Sequence, residues 1–388
     1  MTTRWWATGL VLTSAIGCGQ GGRERGGVAS AGIDPSAGSG VSGVDDDGDD
    51  DTVGDDDDSS GAGDDHDSHA SGHDEGPRFD IGAPDGGAAG DDGCTTEECE
   101  CTIPEHTPCD AGTNDPFNAI GLNCAGELQV DASTTGPAGA IGLRSDFGGT
   151  NTFAPREGSL YAVIGSGLVA DLDSTTPNND SNAFPTHCND DLGDYDPGAA
   201  LPAPLATNDV TGDCTSDGAL IGTGDCSNTI NEQFSQGSSA NDYVELRFEL
   251  DVPVDVVSFS YDFAFFSTEY PTYFGSGFND MYVGWLDSEK WTGNISFDAS
   301  GNPISLNAGF LDYKDDDANL AELDGTCMKQ HAGTGWLTTT AGVTPSEHIT
   351  VVFAIFDLSD SILDSYAFID NFQWGCDPTG KPSTEPEG

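Results

Sequence analysis

The stretch DYVELRFEL at 242–250 decides the fold class. Val244, Leu246, Phe248 and Leu250 alternate with Tyr243, Glu245, Arg247 and Glu249. A period of two puts one row of side chains on each face of an extended strand, here a half-buried one. VDVVSFSYDFAFF at 254–266 repeats the pattern, with Val257, Phe259, Tyr261, Phe263 and Phe265 on one face. Further strands are predicted at 127–131, 139–144, 159–164, 279–287, 291–298, 348–357 and 365–374, between Gly, Pro, Asn and Asp. No run of ten or more residues carries a 3.6-residue apolar period with caps, and turn signals such as DASGNP at 298–303 recur. These features predict an all-β chain: an antiparallel β-sandwich of jelly-roll type with long disulfide-bonded loops. Region 171–241 is poor in strands. Its loops are expected to be held by Cys188, Cys214 and Cys226 rather than by core burial.

Charge narrows the partners. The 388 residues include 68 acidic and 11 basic ones, a net of −57. Nucleic acid and anionic membrane surfaces would be repelled, so neither is expected as a direct partner. No stretch of 18 apolar residues occurs, which argues against a helical membrane span. Residues 18–93 hold 21 acidic residues, 20 Gly, no Trp or Tyr, and Phe79 as their single aromatic. Such a segment cannot bury enough apolar area to offset chain entropy, and it is predicted to be a disordered, self-repelling tether. Residues 94–388 still carry 47 acidic and 7 basic residues. A folded domain that acidic repels itself unless bound divalent cations or a salty medium compensate, or unless the charge is simply a solubilising surface.

The chain opens MTTRWWATGLVLTSAIGCG, with Arg4 followed by an apolar run and small residues before Cys18. This is the form of an export signal over 1–17. Ala15-Ile16-Gly17-Cys18 resembles a bacterial lipobox, which implies lipidation of Cys18 and attachment to the outer membrane or cell surface. An ordinary secretory signal is the alternative. The tether would then lift the folded part off the lipid by roughly 50 Å, at about 5–6 Å × √n for flexible chain. Ten cysteines remain besides Cys18, an even number that suits disulfides in an exported protein, and the sequence does not choose their pairing. The Cys-rich lead-in at 94–114, with His106 among four Cys, imitates a zinc site but lacks the usual second Cys-x2-Cys. Cys376, just past the last predicted strand, is placed to staple the end of the domain to an earlier loop.

A family resemblance enters on several motifs. SFSYDFAFFSTEYPTYFGSGFND at 258–280, WTGNISFDASGNPISLNAGF at 291–310, TGWLTTTAGVTP at 334–345 and ILDSYAFIDNFQW at 362–374 resemble, in order, the choice-of-anchor L domain. AIGLNC at 119–124 and GTGDCSNTINEQF at 222–234 resemble its myxobacterial version. The resemblance spans about 115–377, leaving 378–388 as a disordered tail. It implies a surface protein whose members differ in their anchor, and no established reaction.

Hard oxygen ligands cluster at predicted strand ends. Glu269 follows one strand, Asn279 and Asp280 precede the next, Asp357 ends another, and Asp364, Asp370 and Asn371 surround the last. Glu269, Asn279, Asp280, Asp357, Asp370 and Asn371 are therefore candidate ligands for a structural Ca²⁺. Asp370 falls on the predicted face of Tyr366, Phe368, Phe372 and Trp374, where a carboxylate must be paired, hydrogen-bonded or metal-bound. The competing reading is a carboxylate whose hydrogen bonds lock a loop. DYKDDD at 312–317 and DLGDYD at 191–196 match an EF-hand only in composition. No G-x-S-x-G or G-x-G-x-x-G motif stands in the required context. His331 is read as a loop residue near Cys327. Tyr270, Tyr273 and Trp336 are candidate ligand contacts, alongside Phe274, Trp285 and Trp291, although aromatics of this kind more often pack in a core. The sequence thus predicts a surface-tethered, non-enzymatic sandwich that binds an extracellular polysaccharide or surface protein. A secreted hydrolase of surface polymers and a passive coat lipoprotein are the alternatives.

Overall fold

A computed structural model describes residues 101–174, 187–226, 230–308, 313–315 and 319–387. The expected export signal at 1–17, Cys18 and the expected tether at 18–93 lie outside the described residues. Strands β1 (Asp131–Thr135), β4 (Ala240–Asp251), β6 (Met281–Asp287), β7 (Thr292–Asn294) and β11 (His348–Leu358) form one sheet, in the order β1-β4-β11-β6-β7. A second sheet runs β13-β10-β5-β12-β3-β2. Its strands are β2 (Ile141–Arg144), β3 (Tyr161–Gly165), β5 (Ser258–Ser267), β10 (Leu337–Gly342), β12 (Ser365–Gly375) and β13 (Ser383–Pro386). The short β8 (Tyr313–Lys314) pairs with β9 (Ala332–Gly333), which pairs with the end of β5. Every ladder is antiparallel.

The two alternating patterns meet between the sheets. Val244, Leu246, Phe248 and Leu250 of β4 share one buried cluster with Phe259, Tyr261, Phe263 and Phe265 of β5. Ring contacts close the layer: Tyr261 lies 4.4 Å from Phe353, and Phe263 lies 4.8 Å from Tyr282. Each large side chain buried here adds about 1.5–3 kcal/mol of transfer free energy.

The outer faces are covered as well. On the second sheet Tyr161, Phe266 and Phe368 pack under Phe147, Phe153 and Trp336. On the first, Tyr243, Trp285 and Phe356 pack under Leu201, Leu205, Ile230 and Phe234. This corrects the half-buried reading of β4. Tyr243 and Glu245 are buried, with the Tyr243 hydroxyl donating to Glu245 and Arg247 pairing with the same carboxylate. Among the described residues, four disulfides hold the coverings: Cys101–Cys376, Cys109–Cys124, Cys188–Cys327 and Cys214–Cys226.

Three expectations are corrected. The first strand is Asp131–Thr135 rather than 127–131, because Asn123 takes the Val130 N–H and turns the chain there. LTTTAG at 337–342 is a strand within the sheet, with Leu337, Thr339 and Ala341 buried. A Thr in the middle of that row hid the pattern. Within the expected disordered tail, Ser383–Pro386 pairs with β10 through backbone bonds that need no apolar side chains.

Replacing Phe263 with Ala should cost about 3–5 kcal/mol in chemical denaturation, as a large ring removed from a closed core. Breaking Cys101–Cys376 by a double Ser substitution should cost about 2–5 kcal/mol. Losses under about 1 kcal/mol in both would contradict the packing described.

Candidate acidic site at one end of the sandwich

Antiparallel order gathers chosen strand ends. The ends of β3, β5 and β11 meet the starts of β4, β6 and β12 at one pole. Glu269 follows β5, Asp280 precedes β6, Asp357 lies near the end of β11, Asp364 precedes β12, and Asp242 sits at the start of β4. All five are buried. The register shifts between Ile355 and Asp357, where two steps along β11 face three along β4, and Asp242 on β4 takes φ +49° in the bulge.

Hydrogen bonds satisfy only part of this group. Asp280 accepts from the Ser365 hydroxyl at 2.6 Å and the Leu358 N–H at 3.2 Å. Asp364 accepts from the Asp190 N–H at 2.9 Å and the Tyr366 hydroxyl at 3.0 Å. Asp242 accepts from the Leu192 N–H at 2.8 Å through one oxygen only. Both oxygens of Asp357, Oε2 of Glu269, Oδ2 of Asp242 and Oδ1 of Asp360 have no partner in full hydrogen-bonding geometry, although the nearby Ser166 hydroxyl favours the charged form of Asp357. Among the described residues Arg144, Arg156, Arg247 and Lys329 make their ion pairs elsewhere. A sealed carboxylate with neither donor nor cation is costly, and each distorts the titration of its neighbours. Burial raises the pKa of Glu269, Asp280, Asp357 and Asp364, and neighbouring carboxylates add to it. Burial likewise pushes Asp242 up to about 7, with Asp196, Asp191 and Asp190 contributing.

Asn279 lies beside the group but is committed. Its side-chain amide donates to the Gln233 carbonyls, and its Oδ1 accepts the Asn307 N–H at 2.8 Å. Asp370 and Asn371 do not join the group. Asp370 accepts the backbone N–H groups of Arg156, Glu157 and Asn371, and Asn371 donates to Asp262 at 2.9 Å. A bulge explains the misplaced face. The register shifts between Asp370 and Gln373, so Asp370 shares the side of Tyr366 and Phe368 while Phe372 and Trp374 turn to the inter-sheet core. Burial lifts Asp370 to about 7 against those N–H bonds.

The aromatic candidates are also redistributed. Trp336 is buried under the outer face with Tyr161 and Phe153, and Trp285 and Trp291 are core residues. Tyr270 is buried and Tyr273 partly so, its ring 5.2 Å from Phe278. Phe274, 46% exposed, is the open member of that loop, and Lys314 stands 5.1 Å above its ring. His331 is buried with Nδ1 2.6 Å from the Tyr270 carbonyl. Asp315 of DYKDDD accepts three backbone N–H groups, while Asp191, Asp194 and Asp196 are exposed. No sequence signal marks Asp242 or Asp360: Asp242 lies in an alternating strand, and Asp360 in a serine-rich turn.

The orphaned oxygens are hard donors of the type Ca²⁺ takes, and Glu269, Asp280 and Asp357 could supply them. Among the described residues, one trio of His, Cys, Asp or Glu side chains brings its ligand atoms within 4.8 Å of one another: His106, Cys124 and Glu127. Cys124 is spent in its disulfide, so that trio does not make a zinc site. The buried carboxylates are more widely spread, and a cation among them would draw further ligands from carbonyls, hydroxyls and water.

The raised pKa values fix a sign. Between about pH 4, where carboxylates of the unfolded chain ionise, and about 7, where Asp242 does in the fold, the native state holds more protons. Stability should therefore fall as pH rises through that window in the presence of chelator. Each kcal/mol lost lowers Tm by about 2–4 °C. Asp357→Asn should flatten the fall and raise Tm at pH 8; a Tm that climbs from pH 5 to 7.5 in chelator would contradict the assignment. No family model, curated protein or solved structure matches this chain, so the site stands on its own geometry.

Proposed function

We propose that the chain is a surface-tethered, non-enzymatic binding module whose ligand-facing end is fixed by Ca²⁺. One observation carries this reading. The loop between β5 and β6 holds Tyr270, Tyr273 and the exposed Phe274, and it is rooted on either side in the buried carboxylates Glu269 and Asp280. A cation bound between the roots would stabilise the native state alone and hold the loop in one shape. Hydrogen bonds already brace it, from the Tyr273 N–H to the Glu269 carbonyl at 2.9 Å and from the Gly275 N–H to Asn307 at 2.6 Å. An aromatic tip beside Lys314 suits a sugar polymer or a protein surface.

Export, lipidation at Cys18, attachment to the outer membrane and kinship with choice-of-anchor L domains make one consistent account of a tethered domain. The jelly-roll assignment rests on chain order: β4, β5 and β6 alternate between the sheets, as do β10, β11 and β12.

Cells producing the chain without residues 115–377 should lose most adhesion to extracellular matrix. Phe274→Ala in the whole chain should weaken it several-fold with Tm unchanged. Adhesion unaffected by either change would refute the binding role.

A further inference from the structure

At the opposite pole lies a cavity of about 650 Å³, within the range of small-molecule sites. It is lined by Leu250 at the end of β4 and by Phe372 and Trp374 near the end of β12. Asp242 and Asp364 mark the other ends of those strands. Eight to ten residues at about 3.3 Å each separate the two sites by roughly 30 Å. The cavity has an apolar rim, with Ile103 49% and Leu128 43% exposed. Its charged groups are Glu105, Glu127, Glu157 and His106, with no Lys or Arg. His106 sits between two carboxylates, Nδ1 2.7 Å from Glu127 and Nε2 2.6 Å from Glu157. Gly121 forms part of the floor at φ +90°, where a Cβ would come 2.8 Å from Glu157.

We infer that this cavity binds an ammonium group carried on an apolar chain, the chemistry shared by an aliphatic amine and a lysine side chain. The cavity is lined by three carboxylates, Glu105, Glu127 and Glu157, and one imidazole, so it stays negative even when His106 is charged. The rim and the Trp374 indole, which lines the cavity, offer apolar cover for the chain. His106 is the built-in competitor of the ligand. Its carboxylate neighbours Glu127 and Glu157 raise its pKa although burial opposes them. Glu157 in turn is raised by burial and by Asp110 and Glu127, and lowered by His106. Losing the His106 proton leaves the carboxylates without their counter-charge, so a cationic ligand should bind more tightly as pH rises. This inference does not depend on the loop end or its cation.

The test is calorimetric titration of the full chain with n-hexylammonium chloride in 0.15 M NaCl. Saturable binding is expected, at least about tenfold tighter than n-hexanol and tighter at pH 8.5 than at pH 5.5. Glu157→Gln should weaken it about tenfold, and His106→Gln should remove the pH dependence. Leu128→Ala, at an exposed rim position, should weaken it a few-fold with Tm unchanged, which guards against misfolding of the buried variants. No saturable binding, equal binding of n-hexanol, or an unaltered affinity in both Glu157→Gln and Leu128→Ala would overturn the inference.

Discussion

A carboxylate sealed from water without a cation or enough donors carries an effective penalty of roughly several kcal/mol if ionised. Several such groups share one pole of this sandwich, and Asp357 stands among them with neither oxygen in full hydrogen-bonding geometry. Two compensations are physically open. Protons neutralise the group at low pH, as the raised pKa values indicate. At neutral pH and above, the proposed divalent cation would be the compensation, completing its ligands with carbonyls, hydroxyls and water.

The rest of the molecule isolates that pole. Both sheets are covered on both faces, and disulfides pin the coverings at positions far apart in sequence, as between Cys188 and Cys327. Strands such as β11 are consequently buried along nearly their whole length. Water reaches neither face of the central strands, which keeps the strand-end carboxylates dry. At the far pole the lead-in segment around His106 leaves a cavity instead of sealing it. One sandwich therefore has an end of buried carboxylates and, built by the opposite ends of the same strands, an open, acidic pocket.

Sequence alternation revealed the inter-sheet core because β4 and β5 each present one unbroken apolar row. It failed where a polar residue is buried by pairing, as with Glu245 beneath Tyr243 and Arg247, and Thr339 in β10. A period also cannot foresee a bulge. The shift after Asp370 sends Phe372 to the other face and takes Asp370 into a backbone-locking role. The strand-end rule located Glu269, Asp280 and Asp357, since antiparallel order brings such ends together. It could not find Asp242, whose partners come from a loop some fifty residues earlier. The His106 pocket was beyond reach for the same reason: Glu127, Glu157 and Trp374 meet only after the chain has folded.

The most direct measurement is equilibrium dialysis of the full chain against radioactive Ca²⁺ at pH 8 in 0.5 M NaCl, with Asp357→Asn alongside. The aspartates of residues 18–93 contribute equally to both chains, so the difference reports the buried pole. At least one ion should be retained by the natural chain and lost in the variant. Equal retention by the two, or none by either, would contradict it.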